Sequence, residues 1–174
     1  TLDRGTTFIK RSGGTSKLAL GAITFNAAGA LDFESDSLAT TTSANDVPRG
    51  FLSLRTTVAG TDFARNDGSG NVVAFASYIP FSTTPHSSTN VYALAGSGSY
   101  STFVNMSGTG LKITTTGSGQ ALSLTSDLFL GAAVFSGAND YSINTSSSGS
   151  FRPTRLHNYG TGVLTVGKLG DANF

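Results

Sequence analysis

Asp32, Glu34 and Asp36 alternate along the chain. If this stretch is extended, alternate side chains share a face, and three carboxylates point the same way. Two such groups are the minimum equipment for acid–base cleavage of a glycoside, and oxygen clusters also suit hard cations. The competing reading is a solvated strand edge whose like charges discourage edge-to-edge pairing. Asp67-Gly68-Ser69-Gly70-Asn71 has the composition of a calcium loop. It lacks the later bidentate Glu and any repeated Gly-Gly-x-Gly-x-Asp pattern, so it reads as a tight turn. His86 and His157 each stand alone, with no third ligand at metal-site spacing. No nucleophile elbow or phosphate-cradling Gly-rich loop is present. No catalytic residue, metal ligand or cofactor site is assigned.

The aromatic residues carry the strongest binding signal. Tyr78, Phe81, Tyr92, Tyr100 and Phe103 flank a loop, Ile79 to Asn90, that holds Pro80 and Pro85. Exposed rings there would contact carbohydrate or another subunit. The alternative is that the loop folds over them as a satellite cluster.

The elements that position these residues are strands. Apolar residues alternate at Leu18/Leu20, Ile23/Phe25, Leu52/Leu54, Leu111/Ile113, Leu122/Leu124, Leu128/Leu130, Tyr141/Ile143 and Leu164/Val166. That is the period of a strand with one buried face. The best helical candidate, Asn26 to Leu31, is cut by Gly29. In the second half, strands are expected to begin near Val91, Thr102, Leu111, Ala121, Ala133, Tyr141, Phe151 and Val163. The step is roughly ten residues, or about twenty in pairs, within the range of solenoid repeats. Ser35 to Pro48 is a polar stretch expected to be a loop or an irregular corner. The Pro loop should interrupt a sheet or run along its edge. No linker divides the chain, so residues 1–174 are expected to form one domain. Two all-β architectures fit: a β-solenoid of stacked rungs, and an antiparallel β-sandwich. Tight Gly-rich corners and short strands favour the solenoid.

Composition sets limits on function. The chain has 24 Ser, 24 Thr and 22 Gly among 174 residues, and only 12% charged residues. Eleven Lys and Arg against ten acids leave no excess to neutralise phosphates, which argues against nucleic acid as a partner. Without Cys there is neither a disulfide framework nor a thiolate metal site. No apolar run approaches the roughly 18 residues of a membrane span.

Four stretches, in order, carry a resemblance: Leu18 to Phe33; Gly60 to Ala64 followed by Asp67 to Phe75; Ala121 to Thr125 leading into Phe135 to Ile143; and Leu156 to Val166. Together they resemble bacterial surface proteins with autotransporter-associated β-strand repeats. The resemblance implies a right-handed parallel β-helix in a secreted or surface-anchored passenger, without catalytic residues. It also implies a segment or processed part of a longer exported protein.

The expectation is a structural extracellular or cell-surface protein with no catalysis: a stalk, an adhesin or a self-assembling fibre subunit. Its expected partners are further copies of itself, end to end or laterally, and surface polysaccharide. Membrane insertion by this segment is not expected. The alternatives are a carbohydrate-binding or polysaccharide-degrading β-helix, and a pilus-like sandwich subunit that receives a neighbour's strand.

Overall fold

A computed structural model describes residues 5–26, 28–81, 86–101 and 105–170, with only the backbone at 105, 107 and 108. These residues form strands and connections, and no helix occurs among them. Pairing is predominantly parallel, and the sheets stack as a β-solenoid. The sandwich alternative required antiparallel pairing and does not hold. The chain falls into two compact units, 1–76 and 77–174, each with its own apolar cluster.

The first unit contains β1 (Gly5–Ile9), β2 (Leu18–Ala19), β3 (Gly29–Phe33), β4 (Ala39–Thr40), β5 (Thr56–Val58), β6 (Asp62–Asn66) and β7 (Val72–Ala74). β1, β3 and β5 are parallel, and Ile9, Phe33 and Val58 fall in one register, 24 and 25 residues apart. β2 and β4 form a second short parallel sheet. After β5 the chain departs from the solenoid pattern, because β5, β6 and β7 pair antiparallel. Leu31, Phe33, Ala39, Val58, Ala64 and Val72 make the core. Two expectations fail here. Leu38 and Ala39 are buried and Ala39–Thr40 forms β4, so Ser35 to Pro48 is not wholly a loop. Leu52/Leu54 is not a strand: Leu52 reaches the core by donating its N–H to the Ala64 carbonyl, and strand pairing starts at Thr56.

The second unit contains β8 (Ile79–Pro80), β9 (Tyr92–Ala95), β10 (Gly98–Tyr100), β11 (Asn105–Thr114), β12 (Gln120–Leu124), β13 (Leu128–Ser136), β14 (Tyr141–Thr145), β15 (Phe151–Pro153), β16 (Leu156–Asn158) and β17 (Leu164–Val166). One sheet runs β8, β9, β11, β13, β15, with β16 also on β13; the other runs β10, β12, β14, β17. Tyr92, Leu111, Ala133 and Leu156 form one ladder with steps of 19, 22 and 23 residues. Gly98, Leu122, Ile143 and Val166 form another, with steps of 24, 21 and 23. The paired step of about twenty is thus one rung. Alternation puts Leu111, Ile113, Leu122, Leu124, Phe135, Tyr141 and Ile143 into a shared core, and all are essentially inaccessible. Burying each such side chain stabilises the fold by about 1.5–3 kcal/mol. Pro80 and Pro153 sit in edge strands, where a missing N–H costs no ladder bond.

Hydroxyls also stitch one rung to the next. Thr41 Oγ1 donates to the Gly21 carbonyl, Thr57 Oγ1 to Asp32 and Ser126 Oγ to the Ser101 carbonyl. The partners are separated by 20, 25 and 25 residues. Thr109 Oγ1 bonds the Asn90 carbonyl 19 residues earlier. Several of these hydroxyls are buried, so the Ser and Thr content is structural as well as superficial.

Candidate functional site

The aromatic group is not the exposed patch that the sequence allowed. Phe81, Tyr92 and Tyr100 are buried, Tyr78 is half-buried, and Phe103 lies outside the described residues. Tyr92 lies opposite Leu111 in the core ladder, and the Phe81 N–H bonds the Ala93 carbonyl, which draws both rings inward. Between them sits His86, a residue the sequence left as isolated. Its ring centre lies 4.4 Å from Phe81, 5.0 Å from Tyr92 and 5.3 Å from Tyr100. Nε2 of His86 is buried without a hydrogen-bond partner. Burial pushes its pKa below the usual 6.5 and favours the neutral ring. The Tyr92 hydroxyl fastens the loop, accepting the Ser87 N–H at 2.6 Å. Tyr78 lies apart, with Lys112 Nζ 5.4 Å from its ring centre.

The three alternating acids do not converge on one face. β3 ends at Phe33, which leaves Glu34 and Asp36 in the following turn. Asp32 is buried and accepts the Thr57 hydroxyl at 2.6 Å and the Gly60 N–H at 3.0 Å. Glu34 accepts the Arg11 N–H, and Asp36 accepts the Ala74 N–H. All three hold backbone or a neighbouring hydroxyl. The Asp67–Asn71 segment is the β6–β7 turn, and Asp67 Oδ1 accepts the N–H groups of Ser69 and Asn71. Those bonds, led by the one from the Asn71 side chain, lower the pKa of Asp67. His157 is buried and its ring stacks on Tyr159. Among the described residues no group of three or more His, Cys, Asp or Glu could hold a metal ion.

One polar cluster was not anticipated. Ser150 donates to Asp127 at 2.5 Å, Arg152 Nη2 lies 3.1 Å from the same carboxylate, and Arg152 Nε donates to Ser150 Oγ. Asp127 and Ser150 are 23 residues apart, one rung, which is the signal that could have paired them.

Two surfaces are open to a partner. Leu156 continues the ladder of the fully buried Ala133, yet it is 40% exposed. Leu164 and Val166 continue the ladders of Tyr141 and Ile143 and are only half-covered, while Leu169 is 64% exposed. Leu18 stands in the same relation to the buried Ala39 in the first unit. These side chains occupy core positions on rungs that end the described sheets, and β1 and β17 are edge strands. A different surface, a shallow groove of about 580 Å³, lies over β12 and β14 and is lined by Gln120, Asn139, Asp140, Ser142 and Asn144, among others.

No family model matches the chain, and neither a curated protein nor a solved structure matches it.

Proposed function

We propose that this chain is a structural segment of an exported bacterial surface or extracellular protein, and that it associates with further copies of itself. The single observation that carries this reading is the set of core-register side chains left exposed at the edge rungs: Leu18 at one, Leu156 and Leu169 at another. An open parallel edge with apolar side chains in register templates another rung. The low charge, the hydroxyl stitching and the resemblance to autotransporter-associated repeat proteins support it. Asp32, Glu34, Asp36 and Asp127 are engaged in structural hydrogen bonds.

Sedimentation velocity and negative-stain microscopy of the purified chain test this. The expected result is concentration-dependent rods, abolished by Leu156→Lys or Leu169→Lys. Monodisperse particles at every concentration and salt level would sink the self-assembly reading.

A second reading, polysaccharide binding, is favoured by the groove over β12 and β14, whose amides, hydroxyl and Asp140 carboxylate suit sugar hydroxyls. Retention on insoluble polysaccharides that Asn144→Ala does not weaken would remove this groove from consideration.

A further inference from the structure

The first unit holds a side pocket of about 340 Å³. It is framed by three segments that the fold brings together. The run after β2 follows the run after β4: the Leu20 N–H bonds the Thr40 carbonyl, and the Thr42 N–H bonds the Gly21 carbonyl. The Ile23 N–H then ends on Ser43 Oγ at 2.8 Å. The third segment, residues 52–56, is pinned by the bond from Leu52 to Ala64 and by the turn from Thr56 to Ser53.

The lining has two characters. Ile23, Phe25 and Leu52 give an apolar floor, all half-buried. Ser43, Ser53 and Thr56 supply hydroxyls. Their bonding is polarised. Ser43 Oγ accepts from Ile23, and Ser53 Oγ accepts from the Arg55 N–H. Each serine keeps a hydroxyl proton that no described acceptor takes. Thr56 spends its proton on the Ser53 carbonyl. Arg55, between the lining residues Ser53 and Thr56 but not itself part of the lining, rests its guanidinium over the Phe25 ring at 5.6 Å from its centre. No carboxylate lines the cavity. A pocket that offers unspent donors and a cation above an aromatic floor calls for an acceptor-rich, anionic head on an apolar body.

We propose that this pocket binds a small apolar carboxylate, its hydrocarbon body against Phe25, Ile23 and Leu52 and its carboxylate at Arg55 and the two serine hydroxyls. The site is small and partly open, so the affinity is weak, with a dissociation constant of about 1 mM.

The probes are phenylacetate and its neutral isostere phenylacetamide, titrated into the full 174-residue chain by NMR or calorimetry. Phenylacetate is expected to saturate and phenylacetamide to bind about tenfold more weakly, since charge-assisted bonds are the stronger ones. Arg55→Gln is expected to bring the acid down to the level of the amide. Ala44, exposed at the pocket wall, gives a second variant that leaves the core untouched. Ala44→Phe is expected to abolish binding of both probes with an unchanged far-UV spectrum. Absence of saturable phenylacetate binding overturns the proposal. So does equal binding of acid and amide, or binding that survives Ala44→Phe. The outcome is independent of self-assembly, which reads a different surface.

Discussion

The hydroxyl of Tyr141 donates to the carbonyl oxygen of Gly96 at 3.0 Å, across 45 residues, and the bond is buried. It ties β14 to the turn between β9 and β10, about two rungs earlier. Tyr141→Phe keeps the ring and leaves the carbonyl unpaired, at an expected cost of about 1–3 kcal/mol. Burial pushes the phenol well above its usual 10. A raised folded pKa contributes stability that is intact below pH 10 and lost as pH rises above it. Urea unfolding of wild type and variant between pH 8 and 11 checks both claims, and the variant should lack this alkaline loss.

His86 gives the opposite slope. Its folded pKa is lowered by burial among Phe81, Tyr92 and Tyr100. The stability it contributes is present above pH 6.5 and falls as pH drops through the folded value. His86→Phe removes both the titration and the orphaned Nε2. The expected outcome is a flatter stability profile between pH 7 and 5, read by chemical denaturation. An unchanged slope would place the titrating group elsewhere.

Asp127 responds at lower pH. The Ser150 hydroxyl above all, then the charges of Arg152 and Lys168, hold its carboxyl below the usual 3.8 against the opposing effect of burial. That stability is present above pH 3.8 and lost as pH falls through the folded value. Asp127→Asn should destabilise the chain at pH 6 and shrink the difference from wild type near pH 2.

Gly162 is required by close approach. A Cβ there would lie 2.1 Å from the Asn139 carbonyl oxygen, backbone of the rung before. Gly162→Ala must push two rungs apart, with an expected loss of about 1–3 kcal/mol. Gly117 is the control: a Cβ there meets only the Gln120 side chain, at 3.8 Å. Thermal melts of the two alanine variants should differ clearly.

Much of the second unit was legible because its rungs repeat one period. Tyr141 and Phe151 start strands where alternation placed them, and Leu111 and Ala133 fall within strands. The first unit was less legible for physical reasons. β4, Ala39–Thr40, is two residues long, too short to register as alternation, and β2 pairs with it. Leu52 and Leu54 alternate, but a turn closed by Ser53 and Thr56 wins locally. The antiparallel run from β5 to β7 carries the same strand period as parallel pairing, so period alone does not distinguish them. The aromatic group was found by type, with its exposure left between two readings, because inward register belongs to the ladder and cannot be read from ring count. The side pocket left no sequence signal, since its two serines and one threonine are three among many hydroxyl-bearing residues.

The stitches between rungs have a consequence for how such a chain changes length. Hydroxyl and carboxylate partners sit one step apart, from Thr109 and Asn90 at 19 residues to Ser126 and Ser101 at 25. Loss of one full step from the second unit, about 23 residues at β14 to β17, returns every remaining side chain to an equivalent neighbour. Loss of an odd fraction turns interior residues outward. Insertions and deletions in the second unit are therefore expected as whole steps, each changing the height of that unit by about 4.8 Å.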